Sequence, residues 1–207
     1  MNKIVSVILG LVLGSMVSAQ EKATLFNSNP SLDNLGFSVS GISQFTQVNN
    51  QTAIMGGVKA GLIINDRFSI GGYYLANLNE VNAFESFPNT YLDLKMGGGY
   101  LEYSLWSNKL VHLTFPVFIG CGELSLDNSG EDFIFPDGGE DPFGDDYFFV
   151  VEPGVQAEVN VHQNVRFHLG AGYRIVNGID YLNFDNAAVS DLSFTAGLEI
   201  GIFTFKP

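Results

Sequence analysis

The residues most suggestive of catalysis are His112 and Thr114, which lie two positions apart in the segment KLVHLTF. Residues two apart share one face of a β-strand, and a histidine beside a hydroxyl can act as the base that activates a nucleophile. No phosphate-binding loop, dinucleotide fingerprint, metal-ligand cluster or serine-hydrolase elbow occurs in the sequence. We therefore expect no catalytic activity, with His112 a polar histidine of the interior.

A second candidate for chemistry is the acidic segment 125–146, in which carboxylates are separated by glycine and proline. These side chains could gather around Ca²⁺, which prefers several oxygen ligands, but their spacing matches no known calcium loop. We predict a solvated loop and no metal or other cofactor. The formal charge of −13 also disfavours nucleic acid as a partner. The acidic residues of the segment are Asp127, Glu131, Asp132, Asp137, Glu140, Asp141, Asp145 and Asp146.

The elements that must position these residues are β-strands, because apolar residues alternate with small or polar ones in one segment after another. Short turns at 65–66, 107–108 and 162–164 alternate with longer links at 79–90, 125–146 and 177–190. This alternation is typical of an all-β, eight-stranded, antiparallel up-and-down barrel with its short turns at one end. The predicted strands are 36–48, 52–64, 67–78, 91–105, 110–124, 147–160, 165–176 and 191–205.

The positions of glycine indicate which face of each strand is the outer one. In the segment 165–176, large apolar residues such as Phe167 and Leu169 alternate with Arg166, His168 and Gly170. A face open to water has no need of glycine, which weakens a strand. The lumen of an eight-stranded barrel, in contrast, needs small residues beside its few long charged ones. The apolar face is therefore predicted to face lipid, as in a transmembrane barrel of the Gram-negative outer membrane, rather than a ligand pocket as in a soluble barrel.

The same alternation assigns a set of charged residues to the lumen. In a narrow barrel we expect them to pair as a salt-bridged plug, because an unpartnered charge away from water is costly. A narrow channel for ions or small solutes is the alternative. A lipid A-modifying enzyme is disfavoured, because the pattern turns His112 and Thr114 into the lumen and away from lipid. The predicted lumen residues are Lys59, Asp93, Lys95, His112, Glu152, Glu158, Arg166, His168, Arg174 and Glu199.

Three local features depart from a regular alternation. The triple glycine 97–99 predicts a β-bulge, because the apolar residues change parity after it. Pro116 lacks a ladder donor and predicts a bulge or bend in the fifth strand. Aromatic residues near strand ends, among them Tyr73, Tyr74, Tyr91, Trp106, Tyr147, Phe148, Phe203 and Phe205, suggest membrane-interface belts. Cys121 is predicted to lie on the lipid side as a small apolar residue.

The N-terminal residues have the pattern of an export signal. Lys3 precedes the apolar run 4–13, and Val17-Ser18-Ala19 fits a cleavage site, so residues 1–19 are predicted to be a signal peptide. A polar tail at 20–35 and a barrel at 36–205 follow. Such a chain would need periplasmic chaperones and the barrel-assembly machinery as partners, and we expect a monomer surrounded by outer-membrane lipid.

Four stretches of the chain carry a resemblance to a known family. They are GVKAGLIINDRFSIGGYY (57–74), KLVHLTFPVFIGCGEL (109–124), FFVVEPGVQAEVNVHQNVRFHLGAGYRIVNGID (148–180) and DLSFTAGLEIGIF (191–203). With them the sequence resembles a family of uncharacterised outer-membrane β-barrel proteins of Bacteroidetes and related Gram-negative bacteria. The chain departs from that family at its end, where 204–207 extend beyond the usual glycine–x–phenylalanine finish. The resemblance implies the fold and the compartment, and it implies no activity or functional residues.

Overall fold

The computed structural model describes residues 35–84, 90–127, 146–181 and 184–203. Strands β1–β6, β7 together with β8, and β11 form eight antiparallel walls, and β9 pairs with β10 in a separate small hairpin. Pairing between β5 and β6 closes the sheet into a ring. The strands are β1 Leu35–Val48, β2 Gln51–Ile64, β3 Phe68–Asn77, β4 Tyr91–Leu105, β5 Val111–Asp127, β6 Asp146–His162, β7 Val165–Tyr173, β8 Ile175–Asn177, β9 Asp180–Tyr181, β10 Phe184–Asp185 and β11 Leu192–Ile202. The predicted eight-stranded antiparallel barrel is confirmed.

Tight turns join the strands at one end, which we call the turn end; the opposite end is the loop end. Asn65 and Asp66 have φ of 54° and 57° between β2 and β3, a left-handed conformation that Asn and Asp tolerate. Asn49 and Asn50, with φ of 51° and 59°, form the one equally short connection at the loop end within the described residues. The only helical element described is a single 3₁₀ turn, Asn186–Ala188, and no described helix has the length and apolar character of a membrane span.

The strand β4 has no bulge at its triple glycine, so that prediction was wrong. Its pairing with β3 and with β5 runs in one register through Gly97, Gly98 and Gly99. The inward side chains of β4 are therefore Leu92, Leu94, Met96, Tyr100, Glu102 and Ser104, all buried. The parity change that the sequence suggested comes from apolar residues that point into the barrel near the loop end.

The ladder between β5 and β6 is interrupted at Pro116. Pairs are formed up to Thr114–Gln156 and resume at Val117–Pro153 in the same register. Of the predicted bulge or bend, the bulge is absent, because the register does not shift. Pro116 lies in the gap and Pro153 at its edge, and neither has an N–H to donate to the opposite strand.

The outer face of the barrel is mostly apolar, and large apolar side chains are exposed on every wall. Phe167, Val155 and Leu198, on three of the walls, are 38%, 44% and 48% exposed. The inner positions on the same strands hold Arg166, Glu152 and other buried polar residues. The predicted orientation, with apolar side chains outward, is confirmed on these strands.

Some aromatic residues predicted for the interface belts lie inside instead. Tyr73, Phe148 and Phe203 are buried in the interior, whereas Trp106 and Tyr147 are exposed on the outside. Phe205 lies outside the described residues. The exposed Cys121 agrees with its predicted outward position.

Glycines on the inner face make room for large side chains on the neighbouring strand. A Cβ at Gly197 would lie 2.3 Å from His168 Nε2, and one at Gly122 would lie 2.1 Å from the Phe148 ring. At Gly41, on the outer face, a Cβ would meet nothing within 4 Å. Glycine is thus required where a bulky partner crosses the lumen, as the sequence pattern suggested.

We therefore expect Gly197→Ala to lower the free energy of unfolding by about 1–3 kcal/mol through overpacking against His168. The matched control Gly41→Ala, on the adjoining strand, should change it by less than about 0.5 kcal/mol. Urea titration of the detergent-folded barrel, followed by its heat-modifiable gel mobility, measures both. Equal effects of the two substitutions would contradict this account of the inner glycines.

Candidate functional site

The charged interior begins near the turn end with an ion pair between Lys59 and Glu102. Lys59 Nζ bonds Glu102 Oε1, and it also lies 5.3 Å from the centroid of the Tyr100 ring. Lys59 is 1% exposed and Glu102 is 5% exposed. Because both charges are withdrawn from water, each depends on the other for its stabilisation.

A second group of charges completes this layer. His112 Nε2 lies 2.8 Å from Glu158 Oε2, and Arg166 Nη1 lies 3.9 Å from the same oxygen. The Arg166 guanidinium also stacks on the Phe203 ring at 3.7 Å and donates from Nε to Asn160 Oδ1 at 3.0 Å. The strand register places Glu199 opposite Arg166. We call the set Lys59, Glu102, His112, Glu158, Arg166, His168 and Glu199 the charged layer.

A smaller network, centred on Glu152, crosses the barrel above the charged layer. The Glu152 carboxylate accepts from Gln44 Nε2 at 2.6 Å, Ser193 Oγ at 2.6 Å and Arg174 Nε at 3.0 Å. Arg174 Nη2 also donates to Gln44 Oε1. All four side chains are buried. The Glu152 carboxylate on β6 is thus bonded to β1, to β11 and to the wall formed by β7 and β8.

The loop-end half of the interior, above Glu152, is apolar. Its side chains come from seven walls and form one contiguous cluster that also includes Tyr73 and Phe118 at its lower edge. Residues from two loop-end connections insert into the same cluster, and we call them the roof: Val81, Ala83, Ile179, Phe184 and Val189. The wall residues of this apolar layer are Val48, Ala53, Met55, Leu75, Leu92, Leu94, Met96, Leu124, Leu126, Phe148, Val150 and Val176.

The roof is fixed to the wall by hydrogen bonds to backbone groups. Asn49 N donates to Ala188 O at 2.7 Å, and Leu92 N donates to Val81 O at 2.7 Å. Within the 178–191 connection, Ile179 N donates to Asn186 Oδ1 at 2.9 Å. The connection begins at Gly178, whose φ of 115° is one that other residues rarely adopt.

Several buried polar atoms have no hydrogen-bond partner among the described residues. They include the Tyr73 hydroxyl, Arg174 Nη1 and both ring nitrogens of His168. Native interiors leave few such groups unpaired. Tyr73 and Arg174 lie at the boundary between the Glu152 network and the apolar layer.

The structure places most of the predicted lumen residues inside the barrel. Lys59, Glu152, Glu158, Arg166, His168, Arg174, Glu199 and His112 all point inward and are buried. Asp93 and Lys95 do not, so their assignment to the lumen was wrong. They lie on the outer face near the loop end, where Lys95 Nζ and Asp93 Oδ2 pair at 2.5 Å. The continuous register of β4 is the reason, since it turns their neighbours Leu92, Leu94 and Met96 inward.

Sequence reasoning missed Glu102, Gln44 and Tyr73 as members of the site. Glu102 alternates with Leu101 and Tyr103, which point outward, so its inward position was available from the pattern. Gln44 lies on β1, whose small and polar residues make a weak two-faced signal, although its burial alternates strictly. Tyr73 was missed because it is followed by Tyr74. The two tyrosines point to opposite faces, and the sequence does not distinguish which of them points inward.

His112 and Thr114 have hydrogen-bond partners in the lumen, whereas most of the acidic segment lies outside the described residues. His112 bonds Glu158, and Thr114 Oγ1 lies 3.2 Å from Ser104 Oγ, with both residues buried in the lumen. Of the acidic segment, Asp127 ends β5 and Asp146 begins β6, and 128–145 lie outside the described residues. Asp146 Oδ2 accepts from Asp180 N at 2.8 Å. In the described part of the chain no cluster of His, Cys, Asp and Glu could hold a metal ion.

The buried pair should be far more costly to break than the outer one. We expect Lys59→Met to lower the free energy of unfolding by about 3–5 kcal/mol, because Glu102 is left as an uncompensated buried charge. The double variant Lys59→Met with Glu102→Leu should recover most of this loss. The control Lys95→Met should cost about 0–1 kcal/mol, since its pair is partly solvated. Urea unfolding distinguishes these values, and a Lys95 effect as large as that of Lys59 would be inconsistent with the assigned faces.

Comparison with known proteins supports the fold. No protein-family model and no curated protein matches the sequence. The neisserial surface protein A (NspA) is similar in structure, with a TM-score of 0.54 and 18% identity over 81% of this chain and 96% of that one. At this identity the likeness shows the eight-stranded barrel fold.

Two further solved structures align over similar lengths. The outer membrane protein OprG from Pseudomonas aeruginosa has a TM-score of 0.47 and 8% identity, over 83% of this chain and 97% of that one. Ail, the attachment invasion locus protein of Yersinia pestis, has a TM-score of 0.40 and 13% identity, over 81% of this chain and 97% of that one. These weaker alignments add nothing to the assignment of fold.

Proposed function

We propose that this chain is an integral outer-membrane β-barrel protein with a closed interior, which serves a structural role or presents its acidic loops at the cell surface. The observation that carries the proposal is the apolar outer wall, with Phe167, Val155 and Leu198 exposed on three neighbouring strands. An apolar surface of this extent is not sustained in water by a monomer, whereas hydrocarbon accommodates it. A closed ladder also satisfies the backbone within lipid, where unpaired groups are costly.

A closed interior is favoured over a narrow channel by two successive obstructions. The charged layer fills the turn-end half with buried charged and polar side chains, and Lys59, His112 and His168 in it are at most 1% exposed. Above it, the roof packs into the apolar layer at the loop end. An ion would have to break a buried pair and then cross an apolar region.

A non-enzymatic role is favoured over lipid A modification by the direction of the candidate histidine–hydroxyl pair. His112 and Thr114 are buried inside the barrel and are hydrogen-bonded to Glu158 and Ser104. A lipid substrate would approach the opposite face of the strand. The acidic segment would project from the loop end as a solvated, metal-free loop.

Orientation and assembly follow from the same proposal. The turn end would face the periplasm and the loop end the exterior, as short turns and long loops do in other outer-membrane barrels. A signal peptide at 1–19 would direct export, and periplasmic chaperones and the barrel-assembly machinery would insert the chain as a monomer. The resemblance to barrels of Bacteroidetes would assign the source organism to that group of Gram-negative bacteria.

Membrane fractionation followed by gel mobility with and without heating tests this proposal directly. We expect the protein in the outer-membrane fraction, migrating faster unheated than heated because the folded barrel is compact. Recovery in the soluble fraction without detergent would exclude it.

The lipid-facing wall gives a sharper test. We expect Leu198→Arg, in the middle of β11, to lower the free energy of unfolding from phospholipid vesicles by about 2–4 kcal/mol. The control Val161→Arg, at the turn end of β6, should cost about 0–1 kcal/mol. Both residues are exposed, so a water-facing wall would tolerate both substitutions alike, and that outcome would refute the lipid-facing assignment.

Planar-bilayer recording separates a closed barrel from a channel. We expect no steady unitary currents from the wild-type protein, because of the charged layer and the roof. Gel mobility with and without heating, measured on protein recovered from the same membrane preparation, verifies that the barrel is folded and inserted. Reproducible unitary currents would favour the narrow channel instead.

A further inference from the structure

We infer that the loop-end half of the barrel interior is a binding site for a small apolar molecule that carries one uncharged acceptor oxygen, such as a ketone, an ester or an alcohol. This inference goes beyond the proposed function and rests on the barrel interior alone. It starts from two buried donors, the Tyr73 hydroxyl and Arg174 Nη1, which have no hydrogen-bond partner among the described residues.

The two donors lie at one level of the barrel. The Tyr73 ring packs edge-on against Phe118, with centroids 4.9 Å apart, and the strand register places Phe118 opposite Glu152. Glu152 Oε2 in turn accepts from Arg174 Nε at 3.0 Å. A single acceptor placed above the Glu152 network could therefore approach both donors.

The side chains above the donors are apolar. Met55 Sδ lies 3.4 Å from Arg174 Nη2, and Leu75 and Met96 face each other across β3 and β4. Phe148 and Val150 belong to the same buried cluster. Methionines adapt their shape to an occupant more readily than branched side chains. An apolar lining that ends in two unpaired donors fits a ligand with an apolar body and a polar tip.

The ligand would enter from the loop end. The charged layer closes the other side, so the site would hold a molecule without passing it through the barrel. The roof consists of a few side chains on connections, such as Ile179, Phe184 and Val189. Gly178, with its φ of 115°, begins the longer of the two roof connections.

Charge determines the class of the polar tip. Arg174 already has the Glu152 carboxylate as its counter-ion, so a ligand carboxylate would add an uncompensated negative charge in a buried site. Arg174 Nη1 can only donate, and the Tyr73 hydroxyl can donate to the same acceptor. The ligand must therefore accept hydrogen bonds without carrying charge, which a ketone, ester or hydroxyl oxygen does.

The experiment uses 2-octanone, labelled with ¹³C at its carbonyl, and the full mature chain folded in phosphatidylcholine nanodiscs. We expect a protein-dependent carbonyl resonance downfield of that in protein-free nanodiscs, because hydrogen bonds to a carbonyl deshield its carbon. Unlabelled octanoate should displace the probe less effectively than unlabelled 2-octanone.

The paired variants Tyr73→Phe and Tyr74→Phe provide the matched comparison, since the two tyrosines are adjacent and point to opposite faces. Tyr73→Phe removes only the unpaired hydroxyl; it should weaken binding about 2- to 12-fold and move the resonance upfield. Tyr74→Phe, on the outer face, should change neither.

Heat-modifiable mobility of each sample establishes that its barrel is folded, which separates this test from that of the proposed function. A folded wild-type barrel without a protein-dependent resonance would overturn the inference, as would equal binding by the Tyr73→Phe variant. Octanoate that competes as well as the ketone would overturn the assignment to an uncharged ligand.

Discussion

The closed ring of hydrogen-bonded strands is the constraint on which the rest of the structure depends. Once every wall strand is paired on both sides, a side chain has only two directions, inward or outward. One register error would move a whole strand's apolar residues into the lumen. The uninterrupted register of β1 with β2 and with β11 therefore fixes the chemistry of both faces across the seam where the chain closes on itself. Charged and apolar surfaces are separated by the thickness of one sheet.

Crowding is the second consequence of a ring this small. Long side chains such as His168 and Phe148 can cross the lumen only because the neighbouring strand offers glycine at that level. Ionic groups survive there because each finds a counter-charge within reach, as Lys59 and Glu102 do. The interior is thus organised in levels, with ions near the turn end, one carboxylate network in the middle and apolar side chains near the loop end. The same barrel holds both charged and apolar side chains in its interior because the side chains at each level have partners of their own kind.

Strands and their two faces were predictable because a period of two is a strong local signal, and β7 and β11 follow it through their whole length. Lys95 shows where that signal fails. On β4 the inward residues near the loop end are as apolar as the outward ones near the turn end, so the pattern imitates a shift at the glycines. The unbroken apolar run Phe148–Val151 indicated that both faces of the barrel wall are shielded from water near the loop end. The roof could not be predicted, because loop residues such as Phe184 have no periodicity and reach the interior through tertiary contacts. Nor could the partners of Glu152, which come from strands far apart in sequence.

The missing pairs at Phe115 and Pro116 leave a local gap in the ladder between β5 and β6. These two strands share twelve residue pairs, which the gap divides into a run of four and a run of eight, whereas the terminal strands β1 and β11 share nine consecutive pairs. A backbone pair next to the gap has a paired neighbour on one side only. Separation of β5 from β6 by force or by denaturant should therefore begin at Pro116 and spread from there towards both ends of the two strands.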